Sequence, residues 1–344
     1  MIMKTLAICI PTYNRAKYLL KMLETICAQV TDKNRELIQI CVSDNASEED
    51  YTDVIEFMEK SGIEFVYKRA ERNYGADKNF LKAVEIANAE YCWLAGDDDG
   101  IVNGAIDIVL DYITHNKDIS VFWGNRVICN KNLKPFMKEY WTKNRTTFIV
   151  DFSDKTKIIS YFNQLNSTTS LGYLTSLIVK KCEWDEQTVA CEEYVGTIYV
   201  QVAQYLSMLK TGKKMMCISE CIALSRFGND GFYKNLKQRI YMDYYGFLSI
   251  SNIFKNDKEV INSLLGIVRR HYNDIFLAAL GYASHLEEKE IDVLKRIGYS
   301  ETDIKIFERN KGQVALILIA RIIKSMFLDF RWFFKTCFIT LQKL

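Results

Sequence analysis

Three consecutive carboxylates, Asp97, Asp98 and Asp99, follow a short apolar run in the stretch Glu90-Tyr-Cys-Trp-Leu-Ala-Gly-Asp-Asp-Asp-Gly100. Adjacent anions repel one another, and a hard divalent cation such as Mg²⁺ or Mn²⁺ relieves that repulsion through oxygen ligands. Such a cation usually takes only one or two protein carboxylates and completes its coordination with water and substrate phosphate. The triplet therefore predicts a metal–diphosphate site, with a solvated acidic turn as the alternative.

The apolar run before the triplet belongs to an alternating pattern of strands and helices. Strands are predicted at residues 6–10, 37–42, 63–67 and 91–95, with a helix in each interval. This alternation is typical of a doubly wound, mostly parallel sheet, in which the carboxyl ends of neighbouring strands face one crevice. We therefore expect the polar pairs Thr12–Tyr13 and Asp44–Asn45 to lie beside the triplet.

Composition and simple motifs exclude several classes of protein. The net charge of the 344 residues is only +2, which does not favour nucleic-acid binding. No G-x-G-x-x-G or Walker loop follows the first strand, and the ten cysteines include no C-x-x-C pair, which predicts reduced thiols in a cytosolic protein. No secretory signal is expected, and no apolar run reaches the roughly 18 residues of a membrane span.

Four short motifs occur in one order along the chain. They are Ile8-Cys-Ile-Pro-Thr-Tyr-Asn-Arg15, Val42-Ser-Asp-Asn-Ala-Ser47, Arg72-Asn-Tyr-Gly75 with Lys78-Asn-Phe80, and Gly96-Asp-Asp-Asp99. Together they resemble family 2 glycosyltransferases of the GT-A fold, nearest to the abequosyltransferase-like group of bacterial surface-polysaccharide enzymes. The resemblance covers about the first hundred residues closely and extends loosely to about residue 230.

The resemblance implies a GT-A, Rossmann-like α/β fold. Its mostly parallel central sheet would be flanked by helices and followed by an all-helical C-terminal extension. The predicted domains are a glycosyltransferase domain over 1–230, with a nucleotide-binding half (1–118) and an acceptor half (119–230), a helical extension over 231–312, and an amphipathic helix over 313–344.

The same resemblance assigns the donor site. Pro11, Thr12 and Tyr13 would border the base and ribose, Asp44 would accept a hydrogen bond from the base, and Asn73, Gly75 and Lys78 would lie near the ribose and diphosphate. Arg15 and Asn45 complete this set. For Asp44 and Asn45 the alternative is a helix cap after Ser47, and for Lys78 it is a solvated charge.

The acidic triplet corresponds to the D-x-D element of the family, although Gly96 stands where many members have the first acidic residue. We expect Asp99 to bind Mn²⁺ or Mg²⁺, with Asp97 as a second candidate ligand. Asp97 and Asp98 are otherwise expected on the ribose or on metal-bound water.

In the acceptor half, strands are predicted over 119–129 and 171–179, a short strand pair over 213–226 and a loop over 226–229. Two further assignments lie in this half. The general base of the family sits on an acidic residue near Cys191-Glu-Glu-Tyr194, so Glu193 is the first candidate and Glu192 the second. The alternative is that both acids favour the N-terminus of a helix predicted over 195–209. Arg226 would contact the diphosphate, since a guanidinium suits phosphate geometry, or would be an exposed charge.

The last segment, 313–344, is long, apolar and basic. Its charges are five basic residues and one acidic residue: Arg321, Lys324, Arg331, Lys335 and Lys343 against Asp329. A wide apolar face beside a basic stripe is typical of a helix lying in a membrane interface. The alternative is a buried C-terminal helix or the contact surface of a homo-oligomer.

The combined prediction is a metal-dependent, inverting glycosyltransferase. It would move a sugar from a nucleotide-diphosphate donor to a hydroxyl of a glycan, expected to be lipid-linked, on the cytoplasmic face of a bacterial membrane. The competing hypothesis is a membrane-docked scaffold that binds nucleotide sugars or glycans without catalysis. A sugar nucleotidylyltransferase is disfavoured because the glycine-rich activating loop is missing.

Overall fold

The computed structural model describes residues 2–227, 236–273 and 287–305, together with Ala315 and Ile319. The chain forms two compact units. The first contains Met1–Gln164 and Thr169–Asp230, and the second contains Leu165–Thr168 and Gly231–Leu344.

The first unit is built on a ten-stranded mixed sheet with the order β3-β2-β1-β4-β9-β6-β10-β5, and β7 and β8 pair with β6 and β10. The strands are β1 (Lys4–Thr12), β2 (Ile38–Asp44), β3 (Glu64–Arg69), β4 (Ala89–Leu94), β5 (Gly100–Ile101), β6 (Val121–Cys129), β7 (Pro135–Glu139), β8 (Phe148–Asp151), β9 (Leu177–Lys180) and β10 (Lys214–Arg226). The helices are α1 (Ala16–Cys27), α2 (Thr52–Ser61), α3 (Ala76–Glu85), α4 (Ala105–His115), α5 (Lys155–Gln164), α6 (Thr169–Gly172), α7 (Lys181–Asp185) and α8 (Val200–Lys210).

Strands β3, β2, β1 and β4 are all parallel, as the alternating pattern predicts. The apolar runs of β1, β2 and β4 are buried on both faces, as expected for strands covered by helices on each side, whereas the edge strand β3 is only partly buried. One face packs with α1, α2 and α4 in a single core. On the other face lies α3, where the Sγ of Cys41 is 4.0 Å from the carbonyl oxygen of Ile86. The GT-A fold class is thus confirmed for the first hundred residues.

The pairing changes beyond β4. β9 runs antiparallel to both β4 and β6, whereas β6 and β10 are parallel. Two predicted elements differ from the structure here. The segment 171–179 is not one strand, because α6 and a 3₁₀ turn at Leu174–Ser176 precede the short β9. The segment 213–226 is one long strand with β-bulges and not a pair of strands.

The second unit is helical in its described part, as predicted. Its helices are Leu236–Ser251, Lys258–His271, Glu288–Ile297 and Glu301–Ile304. Buried Asp243 connects this unit internally by accepting hydrogen bonds from the hydroxyls of Thr168 and Tyr272, each at 2.6 Å. The amphipathic helix predicted over 313–344 lies outside the described residues, apart from the two isolated positions. Among the residues that are described, no helix has the length and hydropathy needed to cross a membrane.

Candidate active site

The ends of β1, β2 and β4 meet at one edge of the sheet. Thr12 pairs with Asp44 in the parallel register of β1 and β2, and the N–H of Asn45 donates to the carbonyl oxygen of Thr12 at 3.0 Å. The Thr12 hydroxyl donates to Oδ2 of Asp97 at 2.8 Å. Next to Thr12, Pro11 is buried within β1, whereas the Tyr13 side chain is 40% exposed at the rim. Parallel pairing thus brings the predicted polar loops together.

Arg15 holds the first two carboxylates of the triplet. Its Nη1 lies 3.2 Å from Oδ1 of Asp97 and 2.9 Å from Oδ2 of Asp98. The side chain of Asp98 is 22% exposed, compared with 7% for Asp97. Arg15 therefore compensates part of the charge of the triplet, and Asp98 is the carboxylate of this pair that faces solvent more.

Asp99 has a different set of partners, and they come from the acceptor half of the sheet. Its Oδ2 accepts hydrogen bonds from the hydroxyls of Tyr173 at 2.8 Å and Thr175 at 2.5 Å. The main-chain N–H of Arg226 donates to its Oδ1 at 3.3 Å. Asp99 is therefore fixed by β10 and by the segment before β9.

The lack of space around Gly96 explains why this chain has no acidic residue at the start of the motif. A Cβ at this position would lie 3.1 Å from Oδ2 of Asp99 and 3.2 Å from Oδ1 of Asp98. Such contacts are tight, so a side chain here would displace the two carboxylates. The glycine allows the three aspartates to fold back over the end of β4.

Burial makes the triplet electrostatically strained. Burial, with the charge of Asp98 as the next cause, raises the pKa of Asp97 to about 6 and that of Asp99 to about 7. Arg15 opposes the shift at Asp97, and the hydroxyls of Thr175 and Tyr173 oppose it at Asp99. These carboxylates hold protons at a pH where ordinary aspartates are ionised, because their negative charge is incompletely compensated.

Asp44 is fully buried, and both of its oxygens accept hydrogen bonds. Oδ1 accepts from the N–H of Ser47 at 2.9 Å, and Oδ2 accepts from the hydroxyl of Tyr67 at 2.5 Å. Because α2 begins only at Thr52, Asp44 shapes the turn after β2 and does not cap that helix. Its contact with a nucleotide base stays a prediction.

Asn45 organises the loop that leads into α3. Its Nδ2 donates to Oδ1 of Asn73 at 2.8 Å and to the carbonyl oxygen of Gly75 at 3.3 Å, and its Oδ1 accepts from the N–H of Tyr74 at 2.9 Å. Gly75 has φ +86°, a conformation that favours glycine. The predicted residues Asn45, Asn73 and Gly75 are therefore in one hydrogen-bonded group at the N-terminus of α3.

Lys78, on the first turn of α3, forms an ion pair with Glu192, with Nζ and Oε1 2.8 Å apart. Lys78 is thus neither fully exposed nor unpaired. Glu192 begins a 3₁₀ turn that ends at Tyr194, and Glu193 beside it is exposed. The helix predicted over 195–209 is shorter than expected, since α8 starts at Val200; the two acids therefore precede a loop and do not lie on the first turn of α8.

Arg226 is the last residue of β10, not part of a loop, and it packs against the triplet. Its Nε donates to the carbonyl oxygen of Asp98 at 2.6 Å, and its guanidinium stacks over the ring of Tyr18 at 5.0 Å and also donates to the carbonyl oxygen of Lys131. The alternative of a fully exposed charge does not fit this half-buried position. Its cation lies beside the carboxylates, where a diphosphate contact remains a prediction.

Comparison with known proteins gives a family that agrees with this geometry. Residues 7–171 match the model of "Glycosyl transferase family 2". The abequosyltransferase RfbV of Salmonella typhimurium is 32% identical to this chain over 252 residues, which cover 72% of this chain and 75% of that protein.

The chain belongs to glycosyltransferase family 2.

More distant relatives of this family 2 glycosyltransferase support the same fold. An uncharacterised glycosyltransferase of Methanocaldococcus jannaschii is 23% identical over 75% of this chain and 82% of its own length. The structure of S. aureus TarS in complex with UDP superposes with a TM-score of 0.61 at 14% identity, and covers 94% of this chain and 91% of that one. Because the chain is a glycosyltransferase, the hypothesis of a non-catalytic scaffold is set aside.

The donor chemistry of the triplet suits a divalent cation. All three side chains offer oxygen, and the raised pKa values of Asp97 and Asp99 show a charge that a cation would offset. Within residues 2–227, 236–273 and 287–305, however, no group of three or more His, Cys, Asp or Glu side chains is arranged so that it could hold a metal ion by itself. A cation here would need oxygens from water or from the donor, as Mg²⁺ sites commonly do.

Two partners of Asp99 in this glycosyltransferase, and an arginine that packs on one of them, carry no local sequence signal. Tyr173 and Thr175 reach Asp99 only because β9 pairs antiparallel with β4. Arg126 is partly buried, with its guanidinium carbon 4.8 Å and 4.6 Å from the ring centroids of Trp141 and Tyr173. These contacts depend on long-range strand pairing, which a motif search along the chain does not detect.

Asp77 is a further residue that the motifs missed. It lies on α3 beside Lys78, and its Oδ2 accepts from the N–H groups of Gly196 at 2.6 Å and Ile198 at 2.9 Å. Burial raises the pKa of Asp77, while these main-chain bonds oppose the shift. The side chain ties α3 to the loop that follows Glu192 and Glu193. Asp77 could have been noticed as an acid next to Lys78, a predicted donor-site residue. Its partner loop could not, because it is over a hundred residues away in sequence.

Proposed function

We propose that this enzyme transfers a sugar from a nucleotide-diphosphate donor to a hydroxyl of a glycan, with inversion at the anomeric carbon. The observation that carries the proposal is the buried triplet Asp97–Asp99 at the end of β4, beside Thr12 and Arg15. The relatives support the donor class: solved TarS structures contain UDP or UDP-GlcNAc, and RfbV is named an abequosyltransferase.

The donor would lie along the edge formed by β1, β2 and β4. Thr12 and Tyr13 would border the base and ribose, and Asp44 with its ordered turn would recognise the base. Arg15, Lys78 and Arg226 are the cations proposed for the diphosphate; Arg15 and Arg226 are held by the triplet itself, and Lys78 is held by Glu192. Pre-positioned cations of this kind stabilise charge that develops on a leaving group.

Asp99 and Asp97 would hold Mn²⁺ or Mg²⁺, and the partly exposed Asp98 offers a further oxygen. When bound, the cation supplies Lewis-acid stabilisation of the charge on the diphosphate. The chain's own contribution is to keep three carboxylates at one point, with Tyr173 and Thr175 fixing the orientation of Asp99.

The general base would be Glu193 or Glu192. A carboxylate at this position takes the proton of the attacking acceptor hydroxyl as the bond to the anomeric carbon forms. Exposed Glu193 is available to an acceptor, whereas Glu192 is paired with Lys78. The ion pair between Lys78 and Glu192 supports this proposal, because the transfer requires the base near the donor.

The decisive experiment is a donor screen with the purified protein. Thermal stabilisation is measured with a panel of nucleoside diphosphates in the presence of Mn²⁺, because a ligand that binds only the native state raises its stability. Metal-dependent hydrolysis or transfer of the matching nucleotide sugar should follow. Absence of stabilisation by every nucleotide, together with no turnover of any sugar nucleotide, would reject the proposed function.

The acceptor is proposed to be lipid-linked, with the enzyme working at the cytoplasmic face of a bacterial membrane. The basic and aromatic segment 313–344 supports this location, since an anionic leaflet attracts each Lys or Arg by about 1 kcal/mol near its surface. Flotation with liposomes should show more binding for the full chain than for one ending at Lys311. Equal flotation of the two would assign the segment to packing or to self-association.

A further inference from the structure

An edge of the sheet in the first unit exposes large apolar side chains. Strand β7 pairs with β6, and it carries Phe136 and Met137, whose side chains are 62% and 42% exposed and, as neighbours on a strand, lie on its two opposite faces. Soluble proteins usually protect edge strands with charges, and a pair of exposed apolar side chains on such an edge is typical of an interaction surface.

Basic residues surround this pair on both sides in sequence. Five cations occur in residues 130–145, here called the basic segment, and all five are exposed: Lys131, Lys134, Lys138, Lys143 and Arg145. The only acid in the segment is Glu139. Its Oε2 lies 2.6 Å from Nη2 of partly buried Arg126, so its charge is used inside the protein. The surface of the basic segment is therefore strongly positive.

The basic segment is also tied to the acidic triplet at two points. The guanidinium of Arg226 donates both to the carbonyl oxygen of Lys131 and to that of Asp98. At the other end, Glu139 holds Arg126 against the ring of Tyr173, and the hydroxyl of Tyr173 donates to Asp99 at 2.8 Å. A surface bound by this segment would lie near the reacting groups.

The presence of exposed apolar side chains and lysines on β7 and in its flanking residues restricts the chemistry of the partner. A nucleic acid or another polyanion would engage the lysines but would leave Phe136 and Met137 in water. An anionic bilayer satisfies both, because lysines are attracted to its negative headgroups and aromatic or sulfur-containing side chains enter the interface. The charge of the basic segment is thus complementary to an anionic leaflet.

We propose that the basic segment is a membrane-contact surface that binds an anionic bilayer and presents the acidic triplet to an acceptor held there. The inference rests on the proposed function for its acceptor, but it concerns a surface of the catalytic unit and not the segment 313–344. It predicts two membrane contacts on this chain, one of them in the glycosyltransferase fold itself.

The test is flotation of the full chain with vesicles of phosphatidylcholine, alone or mixed with phosphatidylglycerol. The variants are Phe136→Ser with Met137→Ser, and Lys134→Glu with Lys138→Glu. Val189→Ser and Lys33→Glu, at exposed positions elsewhere, are the matched controls. We expect each paired variant to lower the partition coefficient for anionic vesicles, by about tenfold or more for the charge reversal, and the controls to behave as wild type.

The segment 313–344 is unchanged in these proteins, so any difference reports on the basic segment. To prevent strong binding by the tail from hiding that difference, the comparison is repeated in a full chain with Arg321→Gln, Lys324→Gln and Lys335→Gln. Partition equal to wild type in both backgrounds would overturn the proposal. The proposal would also be overturned if only the lysine variants lost binding and a short oligonucleotide displaced the wild type from vesicles, because the surface would then be a general polyanion site.

Hydrolysis of the nucleotide sugar without vesicles separates this proposal from the proposed function. The paired variants should hydrolyse the donor at the wild-type rate, since none of these side chains contacts the triplet. If hydrolysis persists while vesicle binding is unaffected by the variants, only the membrane surface is wrong. If the wild type hydrolyses no sugar nucleotide, the proposed function fails whatever the vesicles show.

Discussion

The two sides of the acidic triplet are built by different means. On the donor side, four parallel strands lie in the order β3-β2-β1-β4; Thr12 and Asp44 are the last residues of β1 and β2, and Arg15 lies in the loop directly after β1. On the acceptor side, Tyr173, Thr175 and Arg226 arrive from the antiparallel β9 region and from the far end of β10. The donor side is local in sequence and the acceptor side is not, so substitutions on the two sides should have separable effects.

The largest effect is expected at the residue where the two sides meet. Asp99→Ala should reduce transfer by roughly 10³-fold, because it removes the candidate cation ligand that Tyr173 and Thr175 orient. The melting temperature should change little, because removal of a buried carboxylate whose pKa is raised to about 7 offsets the loss of its hydrogen bonds from Tyr173 and Thr175. Steady-state transfer assays and thermal unfolding measure the two quantities.

Asp99→Asn serves as the isosteric control and should be as inactive as the alanine variant. Near-normal transfer by Asp99→Ala, or full activity of the wild type in the presence of a chelator, would show that the metal assignment is wrong.

A second test concerns the base on the acceptor side. Glu193→Gln should lower kcat by about 10²-fold or more while donor affinity persists, as for loss of a general base. Glu192→Gln should have the smaller effect on kcat and should instead weaken donor binding, because it breaks the ion pair with Lys78. The opposite pattern in the two variants would transfer the role of base to Glu192.

The contrast between the two sides also explains how far the sequence alone could go. The strand–helix alternation and the polar residues after β1, β2 and β4 were enough to predict the fold and to bring Thr12, Asp44 and the triplet to one edge. The partners of Asp99 were not predictable, because Tyr173 and Thr175 lie in a segment taken for one strand, residues 171–179. The pattern of residues within one segment cannot reveal a short turn followed by a strand that pairs antiparallel with β4, about eighty residues earlier in the chain.

A substitution at Asp44 should weaken donor binding without slowing the chemical step. Asp44→Ala should raise the donor KM by roughly ten- to hundredfold, the equivalent of about 1.5–3 kcal/mol for one charge-assisted hydrogen bond. Tyr67→Phe is the control, since it removes the hydroxyl that donates to Asp44 but keeps the carboxylate. If both variants raise KM equally, Asp44 acts by ordering its turn; if neither does, the base contact lies elsewhere.

Asp77 on α3 holds the loop that follows Glu192 and Glu193, and so connects the donor side to the acceptor side. Asp77→Asn weakens the bonds from Gly196 and Ile198, so Glu192 and Glu193 lose their fixed position relative to α3. We expect kcat to fall roughly tenfold, because small misplacements of a catalytic group are costly, while donor KM stays near the wild-type value. Asp53→Asn, an exposed acid on α2, should change neither. A rise in KM without a fall in kcat would place Asp77 in donor binding instead.

The smallest effect is expected on stability, and it reports on the triplet without any assay of transfer. The folded protein raises the pKa of Asp97 to about 6 and of Asp99 to about 7, from an ordinary value of 3.8. The native state therefore binds protons more tightly than the unfolded state. The stabilisation from these two groups is fully present below about pH 4 and is lost as the pH rises through about 6–7.

Metal-free protein should consequently lose a few degrees in melting temperature between pH 5 and pH 8, about 2–4 °C for each kcal/mol. Mn²⁺ should restore it, and its stabilising effect should be larger at pH 8, where both carboxylates are ionised, than at pH 5. The informative quantity is the difference between wild type and Asp99→Asn at each pH, since contributions common to both proteins cancel in it. An identical pH dependence in the two proteins would mean that the acceptor-side hydroxyls already compensate the charge of Asp99 and that the cation must bind through other oxygens.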